Sequence, residues 1–106
     1  MRTVRYTTRF RRDYKREQSG RHGKRLDAML LAAVDMLARD QPLPRRYFDH
    51  PLGGEWSDHR DCHIRPDLIL IYRKPDDASL ELVRLGSSSL GYERPASSER
   101  ARRAEG

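Results

Sequence analysis

Cysteine is almost missing from these 106 residues: Cys62 stands alone, so no internal disulfide can form and a disulfide-stapled secreted scaffold is excluded. Long apolar runs are missing too. The longest, Ala28 to Val34, is far short of the roughly 20 residues a membrane-spanning helix needs, so no membrane role is expected. The opening Met1-Arg2-Thr3-Val4-Arg5 has none of the apolar stretch of a secretory signal, and the cytoplasm is the expected compartment. Acidic residues are in deficit, 16 against 22 Lys and Arg, which gives a formal charge of +6. Such electrostatics suit a protein that meets polyanions. The apolar set is lean, at 36%, but clustered, so one small core is expected and global disorder is not.

The positive charge is local. Residues 1–25 hold ten Lys or Arg against two acids, whereas the other 81 residues carry 12 basic against 14 acidic side chains. A concentrated basic face can neutralise phosphates by releasing their counterions, which points to RNA or DNA. A plain solvated helix face is the competing reading, and Arg9, Arg12, Lys15 and Arg16 are the side chains on which the two differ.

Periodicity gives the architecture. Thr3 to Thr8, with Val4 and Tyr6 alternating, predicts a short strand. Thr7 or Thr8 can cap a first helix that carries Phe10 and Tyr14 on one face and arginines on the other, and Gln18-Ser19-Gly20 ends it. From His22 to Arg39, Leu26, Met29, Leu30, Ala33, Val34 and Leu37 recur at helical spacing and predict the core helix. The short break between the two makes an antiparallel hairpin. After Asp40-Gln41-Pro42-Leu43-Pro44 and a loop over 45–54, three strands are expected near 58–64, 68–74 and 79–86, joined antiparallel by short turns. The run Leu68-Ile69-Leu70-Ile71-Tyr72 suits a central strand covered on both faces. The fold class is α+β: an N-terminal strand, a helix hairpin, then a three-strand meander completing one sheet. From Glu93 onward no apolar side chain exceeds alanine, so 93–106 is expected to be a mobile polar tail after a domain over 1–92.

Chemistry concentrates in Asp61-Cys62-His63-Ile64-Arg65-Pro66-Asp67. Strand alternation puts Asp61 and His63 on one face and Arg60, Cys62 and Ile64 on the other. That first face is either the wet side of a half-covered sheet or an acid–base pair, since a carboxylate can orient an imidazole. His50, in the loop just upstream, adds a second imidazole. Cleaving RNA through its own 2′-hydroxyl needs one group to take that proton, another to protonate the departing 5′-oxygen, and cations around the phosphate. His50, His63, Asp61, Asp67 and Arg84 supply those types. A metal site is disfavoured, because alternation places Cys62 opposite His59 and His63 and no Cys-x-x-Cys pair exists. The serines at 87–89 lack a Gly-x-Ser-x-Gly elbow.

The string Asp49-His50-Pro51-Leu52-Gly53-Gly54, then Trp56, then Arg60 to Tyr72, then Arg84-Leu85-Gly86-Ser87, resembles the YafQ branch of the RelE/ParE toxin superfamily, and the likeness covers residues 1 to about 92. The resemblance implies a type II toxin: a ribosome-dependent endoribonuclease that cuts messenger RNA in the 30S decoding site, against ribosomal RNA, with no metal or other cofactor. A cognate antitoxin is its implied protein partner. It implies roles in activity for His50, Asp61, His63 and Asp67. The family also places a histidine two residues after the glycine closing the last strand and an aromatic four residues later, positions held here by Ser88 and Tyr92. A hydroxyl does not exchange protons near neutral pH as imidazole does, so turnover about 10²- to 10⁴-fold lower is expected if that imidazole is the acid. Tyr92 can still stack on a base. The alternatives are a non-catalytic member that binds ribosome and antitoxin, or a ParE-like gyrase inhibitor.

Overall fold

The computed structural model describes residues 1–87; Ser88, Tyr92 and the 93–106 stretch lie outside the described residues. Strand β1 (Thr3–Tyr6) leads into helices α1 (Thr8–Gln18) and α2 (Gly23–Ala38). Then come a two-residue strand β2 (His50–Pro51) and the strands β3 (Arg60–Arg65), β4 (Leu68–Arg73) and β5 (Ser79–Ser87). One five-stranded sheet results, in the order β1-β5-β4-β3-β2, with β1 parallel to β5 and every other pair antiparallel. The α+β architecture, the helix hairpin and the meander agree with the sequence reading. The departures are local: β2 and single 3-10 turns at Arg45–Tyr47 and Gly54–Trp56 occupy what reads as plain loop. Among the described residues no helix is long and apolar enough to cross a membrane.

Thr7 is the cap of α1. Its hydroxyl oxygen accepts the Phe10 N–H at 3.0 Å and donates to the Val83 carbonyl at 2.8 Å, so the same side chain starts the helix and ties it to β5. The hairpin turn needs glycine at 23, because a Cβ there would lie 2.1 Å from the Gln18 carbonyl oxygen. Helix α2 lays Leu26, Leu30, Ala33, Val34 and Leu37 on the sheet against Cys62, Ile64, Leu70, Tyr72, Leu80, Leu82 and Leu85. The opposite face carries a smaller cluster in which Leu52 and Trp56, from the loop after β2, cover Ile69, Ile71 and Val83. Both faces of β4 are thus covered, as its continuous apolar run requires. Burial pushes the Cys62 thiol up to about 12, so it packs as an apolar group and is not a nucleophile.

Strand β1 pairs with β5 only as far as Leu82, and beyond it the edge of β5 would be open. Asp13 closes it. This buried carboxylate accepts the Leu85 N–H at 2.9 Å, the Arg84 guanidinium at 2.8 and 3.2 Å, and Arg16 at 3.0 Å, while Arg16 also donates to the Leu85 carbonyl. Burial alone would raise the Asp13 carboxyl, but the hydrogen bonds from Arg84, Leu85 and Arg16 outweigh it and hold the group below its ordinary 3.8. Asp13→Ala should cost about 3 kcal/mol at neutral pH, since it leaves Arg84 and a backbone N–H short of their acceptor. A lowered folded-state value stabilises above the ordinary carboxylate range and fades as pH falls through the folded value. Urea titrations should therefore show the gap between wild type and Asp13→Ala shrinking below about pH 4.

Candidate active site

The site is built on a line across the sheet. In the register His50 faces Asp61, Asp61 faces Ile71, and Ile71 faces Arg84, so one row crosses β2, β3, β4 and β5. The next row joins His63 to Ile69 and Ile69 to Gly86. Alternation puts Cys62 and Ile64 on the helix side and leaves Asp61 and His63 on the other, as the sequence spacing requires. Asp61 is fully buried, which removes the reading of that face as merely solvated.

His50 and Asp61 are direct cross-strand partners, with His50 Nε2 3.1 Å from Asp61 Oδ1. His50 Nδ1 lies 2.6 Å from the Phe48 carbonyl. A carbonyl only accepts, so Nδ1 carries its hydrogen and Nε2 is the ring nitrogen left to face the Asp61 carboxylate. The imidazole is half exposed and its acid is buried, so the pair sets an imidazole edge at the surface with a carboxylate behind it.

The loop carrying His50 is clamped from beneath. Asp49 Oδ1 accepts the Tyr72 hydroxyl at 2.5 Å and Arg60 Nε at 3.2 Å. Burial and the neighbouring Asp49 carboxylate both push the Tyr72 phenol upward, so it remains a donor at all physiological pH. The preceding residue, Phe48, has a left-handed backbone with φ 48° and an exposed ring. Its centroid is 5.8 Å from that of His63, whose Nδ1 lies 3.4 Å from the Pro66 carbonyl, at the outer limit of a hydrogen bond. Phe48 therefore links His50 and His63, and Asp61 joins through His50. A hollow of about 410 Å³, lined by Phe48 and His50 but not by Asp61 or His63, opens between residues 42–45 and 48–50.

Asp67 is placed elsewhere. In the turn between β3 and β4, it sits 3.0 and 3.1 Å from His22 Nε2 and 3.4 Å from Arg21, both in the turn between the helices. Partial burial raises its carboxyl, yet His22 and Arg21 win and hold it below 3.8. Arg84 reaches Asp13 across the edge of β5, and Arg16 is turned to Asp13 and Glu17. Arg9, Arg12 and Lys15 stand exposed on α1. Arg21, His22, Lys24, Arg25 and Arg65 line a pocket of about 390 Å³ between the helix turn and β3; the sequence reading counts Arg21, Lys24 and Arg25 in the basic N-terminal run but does not single them out as site residues. Among the described residues no group of three His, Cys, Asp or Glu could hold a metal ion.

A basic α+β domain packs a helix hairpin against one face of a single sheet and carries a histidine–aspartate couple on the other. Residues 2–90 match the family described as the bacterial toxin of type II toxin–antitoxin system, YafQ. The mRNA interferase toxin YafQ of Escherichia coli K12 is 37% identical over 75 residues, spanning 71% of this chain and 79% of that protein. The crystal structure of YafQ from E. coli BL21(DE3) superposes with a TM-score of 0.74 at 34% identity, covering 88% of this chain and all of that one. In the E. coli DinJ–YafQ toxin–antitoxin complex, a chain superposes with a TM-score of 0.70 at 34% identity, over 87% of this chain and 98% of that one. The chain belongs to the YafQ family of bacterial toxins of type II toxin–antitoxin systems.

Proposed function

We propose that this protein is a ribosome-dependent mRNA endonuclease that stops translation by cutting message through its own 2′-hydroxyl. The observation that carries the reading is the 3.1 Å approach of His50 Nε2 to buried Asp61, with His63 two residues along the same face. In the reaction a base takes the 2′-hydroxyl proton, the 2′-oxygen attacks phosphorus, and the P–O5′ bond breaks. An acid then protonates the leaving 5′-oxygen, giving a 2′,3′-cyclic phosphate and a 5′-hydroxyl. His50 and His63 are the proton carriers, Asp61 sets the protonation of His50, and Arg84, in the same cross-sheet row, supports charge on the phosphate. Asp67 acts at the helix turn, where it fixes His22 and Arg21 at the mouth of the cationic pocket.

The partners follow from the charge. Arg9, Arg12 and Lys15, with the pocket at Arg21, Lys24, Arg25 and Arg65, suit ribosomal RNA around the 30S decoding site, with mRNA as substrate and the cytoplasm as the compartment. A cognate antitoxin is proposed as the neutralising partner, by analogy with the DinJ–YafQ complex. Ser88 supports a second reading, in which the chain binds ribosome and antitoxin but turns over slowly. Purified protein added to messages, with and without ribosomes, separates them: new ends within codons on ribosomes alone support the nuclease, and intact message at excess toxin supports the binder.

A further inference from the structure

We propose that the ring of Phe48 is a nucleobase-stacking platform that seats one base of a single-stranded message beside His50 and His63. The inference deepens the ribonuclease reading and rests on it. Three observations meet at this residue. Its backbone, φ 48° and ψ 42°, lies in a region that a bulky side chain occupies only under strain. Its ring is 69% exposed, so burial of apolar surface does not offset that strain. It also touches both imidazoles, through its carbonyl at 2.6 Å from His50 Nδ1 and through its ring 5.8 Å from that of His63. An exposed apolar side chain alone is ordinary. A strained one held between two proton carriers calls for a ligand.

The neighbours explain why the ring stays outside. Tyr47 is buried in the core and Asp49 is fixed by Tyr72 and Arg60, so residue 48 must make the turn between two anchored positions. The hollow beside the 42–45 segment lies next to the ring, and Arg45, which lines it, offers a cation for the adjoining phosphate. A flat aromatic face accepts any base, which suits a substrate held by stacking rather than read by its edges.

Phe48→Gly is the decisive variant, because glycine adopts a left-handed backbone without strain and its thermal midpoint should equal or exceed that of wild type. Binding is measured to ribosomes programmed with messages that carry 2′-deoxy nucleotides in the A-site codon, so that scission plays no part. Each codon position is in turn intact or abasic. At one position the abasic site should weaken wild type about 5- to 100-fold, Phe48→Gly should bind the intact message equally weakly and ignore the abasic site, and Phe48→Trp should behave as wild type. Phe48→Gly binding as tightly as wild type overturns the inference, and so does equal sensitivity of both to the abasic site. The same comparison on free single-stranded RNA decides the platform if wild type is inert on ribosomes, an outcome that counts against the nuclease reading alone.

Discussion

Replacing His50 with glutamine should lower the single-turnover rate of message cleavage on ribosomes by about 10²- to 10⁴-fold, the usual contribution of a positioned acid or base. Glutamine keeps a polar group of similar reach, so the β2–β3 pairing and the contact with the Phe48 carbonyl are retained while the exchangeable proton is lost. Affinity for programmed ribosomes should change little, because Arg9, Arg12 and Lys15 stand exposed on α1 and the pocket at Lys24 and Arg25 is lined by neither His50 nor Asp61. A variant that binds normally and cuts slowly separates proton transfer from docking. Loss of binding instead would make His50 a contact residue.

The second large effect runs the other way. Ser88→His should raise cleavage by about 10²- to 10⁴-fold, because it places an imidazole where the family resemblance puts one. Gly86, near the end of β5, lies in the same cross-sheet row as His63, with Ile69 between them. Rates of message cutting by the two forms, at equal ribosome binding, check this. A gain marks the native chain as a slow enzyme held back by one side chain, and no gain contradicts that assignment.

Much of this was legible before any coordinates. Alternation separated Asp61 and His63 from Cys62 and Ile64, and Leu68 to Tyr72 announced a strand covered on both faces. The core face of α2 followed from spacing alone. The rest depended on contacts that sequence distance hides. His22 and Asp67 are 45 residues apart and meet only because the helix turn lies over the β3–β4 turn. Strand β2 has two residues, too few for a period, yet it is what sets His50 opposite Asp61. The left-handed backbone of Phe48 had no glycine or asparagine to signal it, and arises from the anchoring of Tyr47 and Asp49 on either side. Arg84 reads as a phosphate ligand from its type; the structure shows that it also closes a sheet edge through Asp13.

The central claim is that His50 and Asp61 act on the message as one proton-carrying unit. Its most direct test is a double-variant cycle: His50→Gln, Asp61→Asn and the combined variant, each assayed for the single-turnover rate of cutting on programmed ribosomes. The combined variant should cut no more slowly than the worse of the two single variants, because either change breaks the same imidazole–carboxylate couple. Losses that multiply, or an Asp61→Asn rate equal to that of wild type, would contradict it.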